Sequence, residues 1–526
     1  MPHPVGKSVF LLLGSICVLI AVCEGRAQQP QEKSKVDFRP AVPRMWDDLA
    51  MSTLEVRSPS PAGSPKHASA EYYYSIPVRP IYKGYPVYAP GYEPPGYMDW
   101  LRQQEPEIVW DSGHQPPLQT EVDWIKAGEI VFDAPSVFDF PETPAEVHDP
   151  AWYKTEGVPV TKDGIMPVDR YVIRKKGTVE LTGLSCATCH TRIMPDGSIL
   201  KGAQGNFPID GISAYRFRDG ASFPGGLPQA LGFVRAYEHF LFAAPWVRPD
   251  PLADVDGMSL DSIAARHDAI PPGVIARHGT NISYPTQVPD LIGVKGRHYL
   301  DRTGLQQNRG LVDLMRYAAL NQGGDSLSNF DGFIPADFPN FKKLPEAMKL
   351  PLIPGRYSDQ QLYALALYLS ALQPPRNPNK FDALAEHGQT VFKREGCATC
   401  HSPPLYTNNK LTPAAGFTPP PEASKEYAIL PISVGTDPDL TMKTRRGTGY
   451  YKVPSLRGVW YRTMFGHSGW CTTLEDWFDP KRVRGDYVPT GFKPSGAKTY
   501  PVRGHAFGLD LSNGDREALI AFLRTL

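Results

Sequence analysis

The chain has 526 residues, room for two to four domains. Its 55 basic and 55 acidic residues cancel, which argues against a nucleic-acid partner. Proline, also at 55 residues, points to long irregular connections.

Residues 1–27 read as an export signal. Lys7 supplies the positive n-region, residues 9–22 an apolar run of h-region length, and Gly25 and Ala27 the small residues of a cleavage site. The run is short for a membrane span, and the alternative reading is an uncleaved anchor. Val22 is too large for the small residue that precedes a lipidated cysteine, which sets Cys23 aside. No other apolar stretch reaches bilayer length, so no membrane span is expected after cleavage. The expected location is the bacterial periplasm or the exterior.

Residues 28–120 are rich in proline, tyrosine and small polar residues. Glu71-Tyr72-Tyr73-Tyr74 and residues 76–96 show no helical period. This segment reads as an extended arm wrapping the body, with a mobile stretch near residues 52–70.

From residue 121 the chain repeats itself. Gly128-Glu129-Ile130-Val131-Phe132 is echoed by Gly388-Gln389-Thr390-Val391-Phe392. Residues 358–372 are echoed by residues 512–526. Leu365, Tyr368, Leu369 and Leu372 match Leu519, Phe522, Leu523 and Leu526 at i, i+3, i+4 and i+7, one helix face. Ser358 and Ser512 stand as N-caps. Two units follow, 121–375 and 376–526, joined by the proline-rich residues 374–378. The first carries an insertion of more than fifty residues. The expected fold class is mainly α: two tandem cytochrome c-type haem domains with long loops behind the N-terminal arm.

The haem expectation rests on a string present once in each unit: Cys186-Ala187-Thr188-Cys189-His190 and Cys397-Ala398-Thr399-Cys400-His401. C-x-x-C-H is the attachment pattern of c-type haem. The two thiols form thioethers with the vinyl groups, and the histidine ligates iron from below. Zinc would want a second ligand pair near each copy, and a thioredoxin-like pair needs no trailing histidine. Two covalent haem c groups are expected, on Cys186, Cys189 and His190 and on Cys397, Cys400 and His401. Covalent attachment takes place outside the bacterial cytoplasm, in agreement with the signal. Of seven cysteines only Cys471 is left over, and it reads as a small buried hydrophobe.

Unit two adds Lys452-Val453-Pro454-Ser455-Leu456-Arg457-Gly458, Phe465-Gly466-His467-Ser468-Gly469 and Thr473-Leu474-Glu475-Asp476. These resemble, in order, the K-x-P-S-L-R, F-H-x-G and T-L-E-x strings of the bacterial di-haem cytochrome c peroxidase superfamily, which includes MauG and the rubber oxygenase RoxA. The resemblance covers residues 121–526, and the layout is most similar to the RoxA branch. Gly458 stands where Asn is common, Gly466 is an extra residue, and unit one has no match to the distal loop of the classical peroxidases.

The sixth iron ligand decides function, because a six-coordinate iron relays electrons and an open one binds peroxide or dioxygen. For haem two, His467, His505, Met442 and Met464 are available. The resemblance implies a ligand shortly before the last helix, which selects His505; the alternative is a loop histidine bonded to backbone. For haem one no distal residue stands out among Met194, Met258, Met315, His239, His267, His278 and His298. The resemblance also implies an aromatic residue between the rings, for which Tyr299 and Trp246 are the candidates. Arg297, Arg302, Arg309 and Arg316 form a basic cluster, either for haem propionates or as a solvated helix face. A calcium ion between the units is known in the peroxidase family, but no EF-hand-type loop supports one here.

The reading that follows is a di-haem oxidoreductase in which haem one activates peroxide or dioxygen and haem two relays electrons. Its donor would be a small periplasmic cytochrome c or cupredoxin. The alternatives are a RoxA-like dioxygenase acting on an organic substrate, MauG-like oxidation of a protein, a non-catalytic di-haem carrier and a haem-based gas sensor.

Overall fold

The computed structural model describes residues 37–57, 67, 69–135, 137–138, 145–219, 227–242, 244, 247–277, 279–321, 355–444 and 447–526. The expected signal, most of the stretch expected to be mobile, Trp246 and His278 lie outside them.

The repeated sequence strings form the same crossing twice. In the first, the opening helix Glu121–Asp133 packs on the closing helix Asp359–Ala371. In the second, Ala383–Arg394 packs on Asn513–Arg524. Each helix starts on a side-chain cap: Thr120 with Asp123, Ser358 with Gln361, Asp382 onto Ala385 and Ser512 onto Asp515. The backbones come close because a glycine stands at each contact. A Cβ on Gly128 would lie 2.1 Å from the Ala364 carbonyl oxygen, and one on Gly388 would lie 1.8 Å from that of Ala518. Beside each crossing an aromatic pair closes the gap, Phe132 with Tyr368 at 5.4 Å and Phe392 with Phe522 at 5.3 Å.

The chain is helix-rich but not purely helical. A four-stranded antiparallel sheet occupies the insertion of unit one. Ile165–Lys175 turns through Gly177, in the left-handed region, into Thr178–Gly183. Val137–Phe138 adds to one edge, and Gly84–Tyr88 from the arm adds to the other. Tyr171, Val172, Ile173, Val179 and Leu181 are β-formers that bury on this hairpin. Its pairing with a strand some eighty residues earlier is a tertiary event that a local period does not report.

The arm is more ordered than an extended reading suggests. It contains the helices Asp48–Ser52, Ala70–Ser75 and Tyr97–Gln103. Trp46 and Tyr73 stack at 4.2 Å and bury in the same cluster as Leu362 and Leu365 of the first closing helix. Arg316 Nε donates to the Met45 carbonyl (2.7 Å), and Val56 N donates to Leu305 O (2.7 Å), tying the arm to the body. Among the described residues no helix is long and apolar enough to cross a membrane.

Candidate functional site

Each C-x-x-C-H string opens onto its own cavity. In unit one Cys186–His190 is a short helix under the first helix pair. The loop behind it must come close: Gly202 N donates to His190 O (2.6 Å), and a Cβ on Gly205 would fall 2.3 Å from Cys189 O. Cavity one has about 1090 Å³ of empty space, counted to its open mouth, and Cys186, Cys189 and His190 line it. Arg277, Thr280, Tyr317 and Asn321 supply polar side chains, and Leu291, Leu305 and Leu369 supply apolar wall. Among the described lining residues His190 is the one histidine, and none is a methionine. The described distal candidates lie elsewhere. Met315 is in the core of the helix pair, Met194 packs beside Ala203 and Ile292, and Met258 joins a separate cluster. His239 pairs with Asp256 (2.9 Å), and His267 sits between Asp210 (2.8 Å) and Glu238 (3.0 Å). His298 bonds through its amide to Asn409.

Cavity two is larger, about 1510 Å³ by the same measure, and Cys397, Cys400, His401 and His505 line it. The ring centroids of His401 and His505 are 6.3 Å apart, with the ring planes at 59°. A metal bound between them would be held by one imidazole nitrogen from each. His401 Nδ1 is 3.1 Å from the Tyr406 carbonyl and donates there, and the backbone of Pro454 is a second hydrogen-bond partner of the ring, so the backbone fixes the ring's orientation. Burial pushes His401 below the ordinary histidine pKa. Burial also lowers His505 to about 3, helped by the nearby His401 and Arg482. Both are therefore neutral, the form that ligates. Met464 is buried in a neighbouring cluster and Met442 is partly exposed; neither lines the cavity. His467 does line it, stacked on Tyr451 at 4.2 Å and edge-on to Trp470 at 4.3 Å. Burial raises the Cys189 and Cys397 thiols to about 11.

A single strand forms part of the wall between the cavities. Thr286 and Val288 line cavity one, and Gln287 between them lines cavity two, the alternation a strand imposes. Arg302 lines both cavities and also the small pocket at their junction. Arg297, Lys452 and Arg462 line that pocket too, with Asp290 the one carboxylate among its described lining residues, and nearby Asp301 also acts on Arg302 and Lys452. Asp290 is already engaged by the Tyr461 hydroxyl (2.7 Å) and by Arg462 (3.3 Å). Burial, then the neighbouring cations Arg462 and Arg297, lowers Arg302 to about 9, and burial first drives Lys452 well below its usual value. This surplus of buried positive charge calls for anions, and the two propionates of a haem are of the right sign and reach.

The arginines grouped by sequence therefore divide. Arg309 and Arg316 turn away to clasp Asp313 at 2.6 and 2.7 Å, while Lys452 and Arg462 join Arg297 and Arg302. Tyr299 reaches only the junction pocket. Its ring packs with Val56, Leu411 and Tyr450, and its hydroxyl accepts from the Ala428 amide, so it lines neither large cavity. Arg462 and the aromatic walls Tyr451, Trp470 and Trp477 carry no local signal in the sequence. Lys452 does, as the first residue of K-x-P-S-L-R. The donor set, the paired thiols and the cationic junction fit a c-type haem in each cavity.

No family model matches the chain, and no curated protein matches it. Among solved structures, hydrazine synthase of Kuenenia stuttgartiensis is similar at 16% identity, covering 56% of this chain and 87% of that one, with a TM-score of 0.27. A MauG-like protein associated with microbial copper homeostasis is 16% identical over 46% of this chain and 73% of its own, TM-score 0.27. A variant of the diheme peroxidase BthA of Burkholderia thailandensis is 17% identical over 46% and 65%, TM-score 0.21. Scores this low decide neither the fold nor the chemistry of this chain, which rest on its own residues.

Proposed function

We propose that Cys186, Cys189 and His190 hold one haem c, that Cys397, Cys400, His401 and His505 hold a second, and that the chain is an exported di-haem oxidoreductase of cytochrome c peroxidase type. When bound, haem in cavity two supplies one-electron transfer and haem in cavity one supplies activation of peroxide or dioxygen. The observation that carries this reading is the placing of His505, whose ring centre stands 6.3 Å from that of His401 in the cavity that Cys397 and Cys400 also line.

The chain's own contribution is positioning and electrostatics. Tyr406 O orients His401, and burial keeps both cavity-two imidazoles neutral. Arg297, Arg302, Lys452 and Arg462, which line the junction pocket, would hold the propionates. Arg277, Thr280, Tyr317 and Asn321 give cavity one hydrogen-bonding groups for a small oxygen ligand. Phe507 lines cavity two, packs edge-on to His505 at 5.3 Å and is 47% exposed. Cavity two meets solvent there, a natural entry for electrons from a small periplasmic cytochrome c or cupredoxin.

EPR of the ferric, fully loaded protein tests the reading. One high-spin and one low-spin signal are expected, and His505→Ala should convert the low-spin signal to high spin. Two low-spin signals in the ferric protein would leave either an electron carrier or a peroxidase that opens only on reduction, and the spin states of the half-reduced form separate those two. Peroxide turnover with a cytochrome donor, set against dioxygen uptake with an unsaturated organic substrate, separates the peroxidase from the dioxygenase.

A further inference from the structure

His505 sits on an awkward piece of backbone. Gly504 and His505 are consecutive left-handed residues, with φ of +77° and +47°. Glycine adopts this conformation freely, but a histidine does so only where its surroundings hold it there. The turn is also pressed against its neighbour, since a Cβ on Gly504 would lie 2.4 Å from Gly435 O. His505 N donates to Val434 O (2.7 Å), and Val502 N donates to Arg482 O (2.7 Å). The backbone carbonyls of this turn converge on one side chain.

That side chain is Arg482, which is fully buried. Its Nε donates to Trp477 O (2.7 Å), Nη1 to Val502 O (2.6 Å) and Gly504 O (3.1 Å), and Nη2 to His505 O (2.7 Å). Its guanidinium lies 4.6 Å from the centre of the Trp477 ring, which in turn packs 5.6 Å from His505. No ion pair joins it to a carboxylate among the described residues. A buried cation solvated by carbonyls is a costly arrangement, retained where its geometry is needed. A planar fork that spans four carbonyls at fixed angles is something only arginine supplies.

We infer that Arg482 is the positioning residue for the sixth ligand of haem two: its fork clamps the 502–505 turn so that His505 stays opposite His401. This rests on the proposed ligation by His505. The clamp acts through backbone, so weakening it frees the imidazole without altering the imidazole itself.

The test uses the full, haem-loaded chain and three variants, R482Q, R482K and H505A. EPR reports the spin state of haem two, and stopped-flow mixing with cyanide reports how readily His505 is displaced. R482Q should lose much of the low-spin signal of haem two, with free imidazole restoring it and haem one unchanged. R482K keeps the charge but not the fork, and carries the test where R482Q does not accumulate. It should bind cyanide at haem two at least about tenfold faster than the native protein, the effect of losing one charge-assisted hydrogen bond. Native spin state and native cyanide kinetics in the Arg482 variants, with H505A turned high-spin, would overturn the clamp alone. H505A remaining low-spin would instead overturn the ligation beneath it.

Discussion

Gly388→Ala examines the helix crossing that forms the floor of cavity two, to which Phe392, Leu519 and Leu523 contribute. The added Cβ would lie 1.8 Å from Ala518 O, 2.4 Å from Ala518 C and 2.8 Å from Phe522 Cβ. The first of these is about 1.6 Å short of the 3.4 Å at which ordinary contact begins. Two of the three atoms are backbone, so no rotamer change relieves the clash and the helices must part. Alanine should gain about 1 kcal/mol of helix propensity over glycine. Overpacking of a tight core costs about 1–3 kcal/mol, more when backbone has to move. A net loss of about 2 kcal/mol is expected. Gly514→Ala is the control, because it lies in the closing helix of the same pair with open space around it. It should stabilise by about 0.5–1 kcal/mol. A chain of this size need not unfold in two states, so the assay follows each haem separately during urea denaturation, by the low-spin and high-spin signals. Gly388→Ala should release cavity two earlier and leave cavity one as it was. Equal or greater stability than the native protein would refute the close crossing.

The other predictions concern charge. Burial alone would lower the pKa of His267, but the Glu238 charge and the hydrogen bonds the ring donates to Asp210 and Glu238 outweigh it and raise it to about 10. A raised histidine contributes stability that is complete below its unfolded pKa of about 6.5 and is lost as pH rises through about 10. Urea midpoints should therefore fall between pH 6.5 and 10 in the native chain, and H267Q should lose that slope. A native-like slope in H267Q would reject the assignment. Asp313, 3% exposed, accepts from both Arg309 and Arg316, and Arg316 also holds the Met45 carbonyl of the arm. Asp313→Ala should cost about 2–3 kcal/mol, mostly from the partly buried Arg316 left without its carboxylate, and expose the arm to limited proteolysis. Protease resistance equal to the native protein would show that the arm is held by apolar contacts alone.

Some of this protein was readable from neighbouring residues alone. C-x-x-C-H is five contiguous residues, so the proposed attachment points need no tertiary information. The helix pairs were equally legible. Their apolar faces follow the 3.6-residue period, their caps stand in the first turn, and Gly128 and Gly388 mark the contacts that the structure closes to backbone distance. Tertiary structure decided everything that draws on distant segments. In the sequence only the family resemblance separates His505 from His467, Met442 and Met464; the fold sets its ring centre 6.3 Å from that of His401. The junction takes Arg297 and Arg302 from unit one and Lys452 and Arg462 from unit two, while Arg309 and Arg316, alike in sequence, pair with Asp313. The sheet in the insertion stayed hidden because its edge strand, Gly84–Tyr88, comes from the arm. The proposed haem attachment and the helix periodicity are local chemistry, written in adjacent residues. The proposed axial ligation, charge compensation and strand pairing join residues that only folding brings together.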